Sequence, residues 1–313
     1  MPVVLDPDAA AVFKAFQEAG RPAYETLTAP EAREYYMQAR VIANPEPPEL
    51  LSAEPLSIPA PHGTIPARIY TPKKLRKTDG LAPCLVFFHG GGWVIGNLDT
   101  HDVVCRKLAD EGELIVISVD YRLAPEHKFP AAVEDAIAAT AWVAASAKQL
   151  GIDASRLVVG GDSAGGNLAA VVSLAARETG PKIAGQMLVY PATDFSRKHP
   201  SHREPETSIL LTHTVVTWFM NHYLAGADIN DWQASPSRAR TLAGLPPAYV
   251  LTAGADPLRD EGDEYAARLK QAGVAVTYRH FPGQFHGFFT MGKLLNQANV
   301  AASDVSAWLK AFG

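Results

Sequence analysis

The segment Val158–Leu168 constrains the fold more than any other part of the chain, because an apolar, strand-like run ends there at a serine and a helix-forming run begins. Ser163 lies between Gly161 and Gly165, in the pattern Gly-x-Ser-x-Gly. A strand that turns this sharply into a helix strains its apex residue, which only very small neighbours permit. The pattern predicts a nucleophilic serine at a helix N-terminus, where free N–H groups and the helix dipole stabilise an oxyanion. The alternative is a turn with a surface serine.

A glycine triplet provides the expected context. His89–Trp93 reads His-Gly-Gly-Gly-Trp and directly follows the apolar run Cys84–Phe88. Successive glycines leave backbone N–H groups uncovered, so that the oxygen of a tetrahedral intermediate can approach them closely. We interpret the triplet as the second half of an oxyanion hole, the alternative being a flexible hairpin turn. His89 is expected to order this loop by hydrogen bonding and not to act as a base.

A serine hydroxyl needs a base within reach and a carboxylate that orients the base. Asp256 follows the apolar run Ala248–Ala253, at the end of a strand where open α/β sheets build their sites. His286 lies in the loop after the last alternating stretch, Val274–Phe281. The order Ser163, Asp256, His286 along the chain is typical of α/β hydrolases.

Each assignment has a competitor. Asp260 falls about one turn into a helix that Pro257 would start, where a carboxylate supports the first turn, so Asp256 is favoured. His280 lies inside the strand pattern and is expected to be a packed or surface residue. The remaining candidates lack the strand-then-loop context: His101, His199, His202, His213 and His222.

The organisation of the chain predicts an α/β fold with a mostly parallel central sheet, flanked by helices and covered by a helical cap. Apolar runs alternate with helical stretches after residue 80, which implies parallel strands joined by right-handed crossovers. Thr64–Tyr70 is interpreted as an edge strand. Residues 1–50 are expected to form the cap and residues 51–313 the catalytic domain, with a second cap segment at 194–234. That segment holds the amphipathic stretch Val215–Leu224, which either lines an acyl pocket or simply buries one face.

Composition excludes several classes of function. The 313 residues are 47% hydrophobic with a formal charge of −5, so there is neither a basic field for nucleic acid nor a polybasic membrane patch. The first residues lack a secretory pattern, and no apolar run is long enough to cross a membrane. We therefore expect a cytoplasmic protein with its two cysteines reduced, Cys84 being a core residue.

Five blocks in order resemble the bacterial hormone-sensitive-lipase-like family of carboxylesterases: His89–Trp93, Tyr121–Glu126, Gly161–Asn167, Asp256–Gly262 and His286–Phe288. The resemblance implies the α/β-hydrolase fold, a catalytic triad of Ser163, Asp256 and His286, and oxyanion donors at the N–H groups of Gly91, Gly92 and Ala164. Gly90 is a weaker candidate for a donor. It also implies hydrolysis of short- to medium-chain acyl esters without a cofactor, and an N-terminal helical cap.

The expected reaction is acyl transfer to Ser163, and the expected partner is a small-molecule ester, with no nucleic acid and no membrane. Because the same triad serves any acyl group, an amidase, lactonase or deacetylase is an alternative, as is a lipase acting at an interface. A non-catalytic small-molecule receptor is a further alternative, which the presence of His286 in its loop disfavours. An exposed final strand near Val274–His280 could pair between subunits in a homodimer.

Overall fold

The computed structural model of the protein describes residues 3–20 and 22–313. Strands and helices alternate along most of this length, as the sequence predicts. The strands are β1 (Ser52–Ala60), β2 (Gly63–Thr71), β3 (Ala82–Phe88), β4 (Ile115–Val119), β5 (Ile152–Asp162), β6 (Gly185–Val189), β7 (Ala248–Ala255) and β8 (Val276–Phe285). The helices are α1 (Pro7–Glu18), α2 (Ala29–Ala43), α3 (Asp102–Gly112), α4 (Ala131–Ala145), α5 (Ala164–Thr179), α6 (His213–Tyr223), α7 (Arg259–Gln271) and α8 (Asn296–Leu309).

Within the described residues, the strands form one eight-stranded sheet in the order β1-β2-β4-β3-β5-β6-β7-β8. The six strands from β4 to β8 in that order are parallel, whereas β2 pairs antiparallel with both β1 and β4. Parallel strands end at the same edge of a sheet, so the loops after β3, β5, β7 and β8 converge there. This topology brings together the loops that carry the predicted site residues.

Two hydrophobic cores lie on opposite faces of the sheet. In β3, Cys84, Val86 and Phe88 face the core built with α4, α5 and α7, whereas Leu85 and Phe87 face the core built with α3 and α8. All the residues of β3 are buried, which is why this strand appears in the sequence as an unbroken apolar run. The sequence-based prediction of a mostly parallel sheet with helices on both faces is confirmed.

One expectation about the sheet is wrong. Thr64–Tyr70 lies in β2, which has a neighbour on each side, and β1 is the strand at that edge. The sequence pattern hides β1 because Pro55 and Pro59 interrupt it, and proline lacks the N–H that a strand ladder uses. An edge strand tolerates these prolines, since it has a partner on one side only. At the other edge of the sheet lies β8, as predicted.

The two N-terminal helices, α1 and α2, lie within residues 1–50, the segment that is expected to form a cap. In α2, Thr28 and Glu31 form a capping box that satisfies free N–H groups at the helix start. Arg33 then joins α2 to the rest of the protein: it donates to the carbonyls of Val94 and Ala124 and pairs with Glu126 at 2.6 Å. The helix is thereby held against the loops that follow β3 and β4. Over the described residues, no helix is both long and apolar enough to cross a membrane.

Candidate active site

Ser163 occupies the turn between β5 and α5. Its backbone is left-handed, with φ 56° and ψ −116°, a conformation that costs a non-glycine residue about 1–3 kcal/mol. Gly161 and Gly165 permit this turn because each packs against the Phe88 carbonyl: a Cβ at either position would lie 2.2 Å or 1.8 Å from that oxygen. The surrounding structure therefore maintains the strain at Ser163 and places the serine at the N-terminus of α5.

The three residues proposed for the triad form one hydrogen-bonded chain. Ser163 Oγ lies 2.9 Å from His286 Nε2, and His286 Nδ1 lies 2.8 Å from Asp256 Oδ2. Asp256 is fully buried and also accepts a hydrogen bond from the Leu258 N–H at 2.8 Å. With Nδ1–H donating to the carboxylate, Nε2 is free to accept the serine proton. Asp256 and His286 directly follow β7 and β8, at the carboxyl edge of the sheet.

The structure brings neither competing candidate to the serine. Asp260 lies in the first turn of α7, where it accepts from the Ser201 N–H at 2.8 Å and from Arg259 at 2.7 Å. His280 lies within β8 and contacts Thr252 Oγ1 at 2.9 Å. Both residues act within the fold, as the sequence pattern indicates.

The glycine triplet presents backbone N–H groups beside the serine. Gly91 and Gly92 have φ values of 122° and 57°, which glycine adopts without strain. Within residues 3–20 and 22–313, the N–H groups of Gly91, Gly92 and Ala164 have no hydrogen-bond acceptor, so they are available to a ligand oxygen. The N–H of Gly90, in contrast, is already bound to Asp162 Oδ1 at 3.0 Å. Gly90 is thus a structural member of the loop.

Beneath this loop lies a buried network in which only His89 had a role predicted from the sequence. Asp162 accepts from the Gly90 N–H and lies 3.2 Å from His101 Nε2. Burial alone would raise the pKa of Asp162, but His101 and His89 lower it below the ordinary value. His89 Nδ1–H donates to the Gly90 carbonyl at 2.8 Å, and the His89 ring stacks on Tyr121. His89 orders the loop, as predicted, and Asp162 couples the loop to the serine turn.

Burial lowers the pKa of His89 to about 3, with a further contribution from His101. The unfolded chain therefore binds more protons than the folded one between pH 3 and the ordinary histidine value of 6.5. Folding stability through this group falls as the pH decreases below 6.5, by about 1.4 kcal/mol per pH unit at most. We expect His89→Gln to reduce the slope of unfolding free energy against pH, measured by urea unfolding between pH 4.5 and 7.

Asp120 contributes with the opposite sign, since burial raises its pKa to about 6 and the folded state then holds a proton that the unfolded state loses. Comparing the wild type with His89→Gln isolates the histidine, because Asp120 is present in both. His127, an exposed histidine on the turn after β4, provides the matched control: His127→Gln should leave the slope unchanged. Equal slopes for the wild type and His89→Gln would contradict the prediction.

Tyr190, at the end of β6, is a second residue that sequence analysis missed. Its ring centroid lies 4.6 Å from that of His286, and its backbone is left-handed with φ 33°. The side chain is almost fully buried, so it forms a fixed wall against one face of the imidazole. No local pattern marks this role, because the contact joins residues far apart in the chain.

A cavity of about 330 Å³ opens beside Ser163 and His286. Its wall is mostly apolar, and most of the residues that form it lie in the segments 1–50 and 194–234, including Phe13, Phe16, Tyr36, Val215, Phe219 and Met220. Within the stretch Val215–Leu224, four residues line the cavity, and Val215, Phe219 and Tyr223 of its helix are buried. Among the described residues, no cluster of three or more histidine, cysteine or acidic side chains could hold a metal ion.

The residue order serine, aspartate, histidine, at the carboxyl edge of a mainly parallel sheet, defines the class of protein: an α/β hydrolase. Comparison with known proteins agrees. Residues 85–290 match the family described as alpha/beta hydrolase fold. The carboxylic ester hydrolase LipN of Mycobacterium tuberculosis is 44% identical over 284 residues, which cover 88% of this chain and 74% of LipN. The ethyl acetate hydrolase of Pseudomonas putida is 39% identical, over 94% of this chain and 95% of its own.

Two solved esterase structures are also similar to this chain in fold and sequence. The hyperthermophilic esterase of the archaeon Pyrobaculum calidifontis superposes with a TM-score of 0.89 at 38% identity, covering 99% of both chains. A thermostable esterase from Pseudomonas putida gives a TM-score of 0.93 at 34% identity, covering 100% of this chain and 98% of the other. The chain belongs to the hormone-sensitive-lipase-like family of carboxylesterases, the family that its motifs resemble.

Proposed function

We propose that this protein hydrolyses carboxylic esters with short to medium acyl chains through an acyl-enzyme on Ser163. The observation that carries the proposal is the hydrogen-bonded chain from Ser163 through His286 to Asp256, with unoccupied N–H groups beside the serine. This arrangement supplies a nucleophile, a base and an electrostatic site for the oxyanion in one place. The substrate is a small-molecule ester, and the chemistry needs no cofactor.

In the first half-reaction, His286 Nε2 takes the proton of Ser163 as Oγ attacks the ester carbonyl carbon. The carbonyl oxygen becomes an oxyanion, which the N–H groups of Gly91, Gly92 and Ala164 stabilise. The C–O bond to the alcohol then breaks, and His286 returns the proton to the departing alkoxide. The products at this stage are a free alcohol and an ester between the acyl group and Ser163.

In the second half-reaction, a water molecule replaces the alcohol. His286 removes its proton, the hydroxide attacks the acyl carbon, and the bond to Ser163 Oγ breaks as the serine is reprotonated. Asp256 remains ionised and stabilises the imidazolium that forms twice per cycle. Deacylation yields a carboxylic acid and restores the resting site.

The size of the cavity supports a limited acyl length. We assign residues 1–50 and 194–234 as the two parts of a cap, because these two segments supply most of the residues of the cavity wall. A Cβ at Gly92 would lie 2.3 Å from the Phe219 ring, so α6 packs directly onto the oxyanion loop. Because the cap lies directly against the glycine triplet, short acyl chains fit within the cavity. Long acyl chains would have to extend out of the cavity, so short ones are favoured. Cys84 and Cys105 are buried and unpaired, which fits our assignment to the reducing cytoplasm.

Hydrolysis of p-nitrophenyl esters from acetyl to palmitoyl tests the proposal. We expect kcat/KM to peak at a short acyl chain and to fall steeply for the longest ones, since these exceed the cavity. Matched p-nitroanilides of the same acids serve as the control for the amidase alternative and should be turned over far more slowly. Absence of hydrolysis at every chain length, or a maximum at palmitoyl, would refute the proposed function.

A further inference from the structure

Arg40 is a buried cation in the wall of the cavity. It lies on α2, is 8% exposed, and shares the cavity with Ser163 and His286. In the part of the chain that the structure describes, no carboxylate forms an ion pair with its guanidinium. Most other arginines with little exposure here, such as Arg122 and Arg259, pair with acidic side chains. A charge that is removed from water without a partner is unfavourable, and a ligand of opposite charge would supply that partner.

Most hydrogen-bonding capacity of Arg40 remains unused. A guanidinium has five N–H donors. One nitrogen, Nη1, donates to Thr290 Oγ1, and the guanidinium carbon lies 4.7 Å from the centre of the Tyr36 ring. The buried Nε has no partner, and no acceptor within residues 3–20 and 22–313 takes a hydrogen bond from Nη2. Thr290 lies in the short turn after His286, so Arg40 faces the catalytic end of the cavity.

Arg197, another cavity arginine, shows what a purely structural role looks like. Its Nη1 donates to the His213 carbonyl and to Thr217 Oγ1, both at 3.1 Å, so it fastens α6 to the preceding loop. Two carboxylates that line the same cavity, those of Asp162 and Glu261, are engaged elsewhere. Asp162 accepts from the Gly90 N–H and pairs with His101, and Glu261 pairs with His202. Neither is available to neutralise Arg40.

We propose that Arg40 binds a carboxylate of the substrate, so that the preferred esters carry a negative charge in their acyl or alcohol part. A carboxylate matches the planar fork of the guanidinium and would accept from the free Nη2 donors, while the buried Nε without a partner leaves the charge of Arg40 incompletely satisfied by the protein. The inference rests on the proposed ester hydrolysis at Ser163 and adds the substrate class to it. The apolar remainder of the wall would hold the short carbon chain between the ester and the carboxylate.

Two pairs of substrates of matched shape test this assignment. For the acyl part, phenyl hydrogen glutarate is compared with phenyl isoheptanoate, in which a branched methyl pair replaces the carboxylate oxygens. For the alcohol part, O-acetylated γ-hydroxybutyrate is compared with isohexyl acetate. We expect the wild type to favour the anionic member of one pair in kcat/KM, mainly through a lower KM, and the pair that responds identifies the part that carries the charge.

The variant Arg40→Met removes the charge and retains an unbranched side chain. It should lower the ratio of anionic to neutral kcat/KM by about 10- to 100-fold, the range for hydrogen bonds to a charged group, and Arg40→Lys should restore part of that ratio. Arg279→Met is the matched control: this exposed arginine on β8 changes the net charge equally and should leave the ratio unchanged.

The outcomes separate this inference from the proposed function. No hydrolysis of any ester overturns the proposed function, whereas preference for the neutral member of both pairs by an active wild type overturns the role of Arg40 alone. Glu25 lines the same cavity and has one unpartnered carboxylate oxygen, so the phenyl ester of γ-butyrobetaine is included as a cationic substrate. Faster turnover of this cation than of the glutarate also overturns the inference. The wild-type comparison stands even if an Arg40 variant fails to fold.

Discussion

Replacing Ser163 with alanine is expected to lower kcat/KM for p-nitrophenyl acetate by about 10⁴-fold or more. The variant keeps the oxyanion donors and the cavity but removes the only atom that bonds to the acyl group. His286 Nε2, 2.9 Å away, then has no serine proton to accept. Residual hydrolysis would come from direct attack of water beside the N–H groups of Gly91, Gly92 and Ala164. The measurement is steady-state release of p-nitrophenol, with the variant purified separately from any wild-type protein.

Ser163, His286 and Asp256 act together in one step, so the losses from single and double variants can also be predicted. His286→Ala should cost about as much as Ser163→Ala, and the double variant should be hardly slower than either single one, because each removes the same step. Ser173→Ala is the matched control: the hydroxyl of this buried serine on α5 donates to the Ala169 carbonyl within the same helix, and its loss should leave activity near that of the wild type. Multiplicative losses in the double variant, or near-normal activity of Ser163→Ala, would show that the nucleophile lies elsewhere.

Local sequence patterns predicted the sheet and the positions of the main site residues because these depend on short-range constraints. The turn at Ser163 needs glycines two residues away on each side, so its signal is contained within five residues. Asp256 follows the apolar run Ala248–Ala253, and His286 follows the alternating stretch Val274–Phe281, so each is marked by a strand-like pattern that precedes it. The parallel topology then brings these separate signals to one edge of the sheet, where the structure places the three side chains in hydrogen-bond contact.

The sequence did not reveal contacts between distant segments that carry no pattern of their own. No local pattern marks a role for Asp162, yet it accepts a hydrogen bond from the Gly90 N–H across 72 positions of the chain. Arg40 reads as one more polar residue of an amphipathic helix, and only the folded chain shows that it is buried against Thr290 without a carboxylate. The edge strand β1 escaped notice for a different reason, because its prolines contradict the usual strand pattern.

These contacts join the turn at Ser163 and the loop of the glycine triplet, Gly90–Gly92, into one structural unit. Asp162 joins the residue before the nucleophile to Gly90, and Tyr121 donates to the His89 carbonyl at 2.7 Å. The end of β3 also packs closely against the start of α5, because the Phe88 carbonyl approaches Gly165 too closely to leave room for a Cβ. The position of the donors relative to Ser163 is therefore set by the packing of β3 on α5.

Gly165→Ala is expected to disrupt this packing and to cost at least about 3 kcal/mol of unfolding free energy, or to prevent folding altogether. The added Cβ would lie 1.8 Å from the Phe88 carbonyl oxygen and 2.8 Å from that of His89. Both are backbone atoms at the end of a central strand, where no side-chain rotation can relieve the clash. Urea unfolding followed by circular dichroism, or the soluble yield if the variant does not fold, measures the effect.

Gly112→Ala on α3 is the matched control, because its Cβ would meet the Leu114 side chain at 3.1 Å, a flexible neighbour that can move. Alanine is also a better helix former than glycine by about 1 kcal/mol, so this variant should be close to the wild type in stability. If Gly165→Ala folds with wild-type stability, the close approach of β3 and α5 does not hold in solution. If it folds but loses esterase activity, the two elements have separated just enough to move the oxyanion donors away from Ser163, which would show that their contact positions the catalytic site.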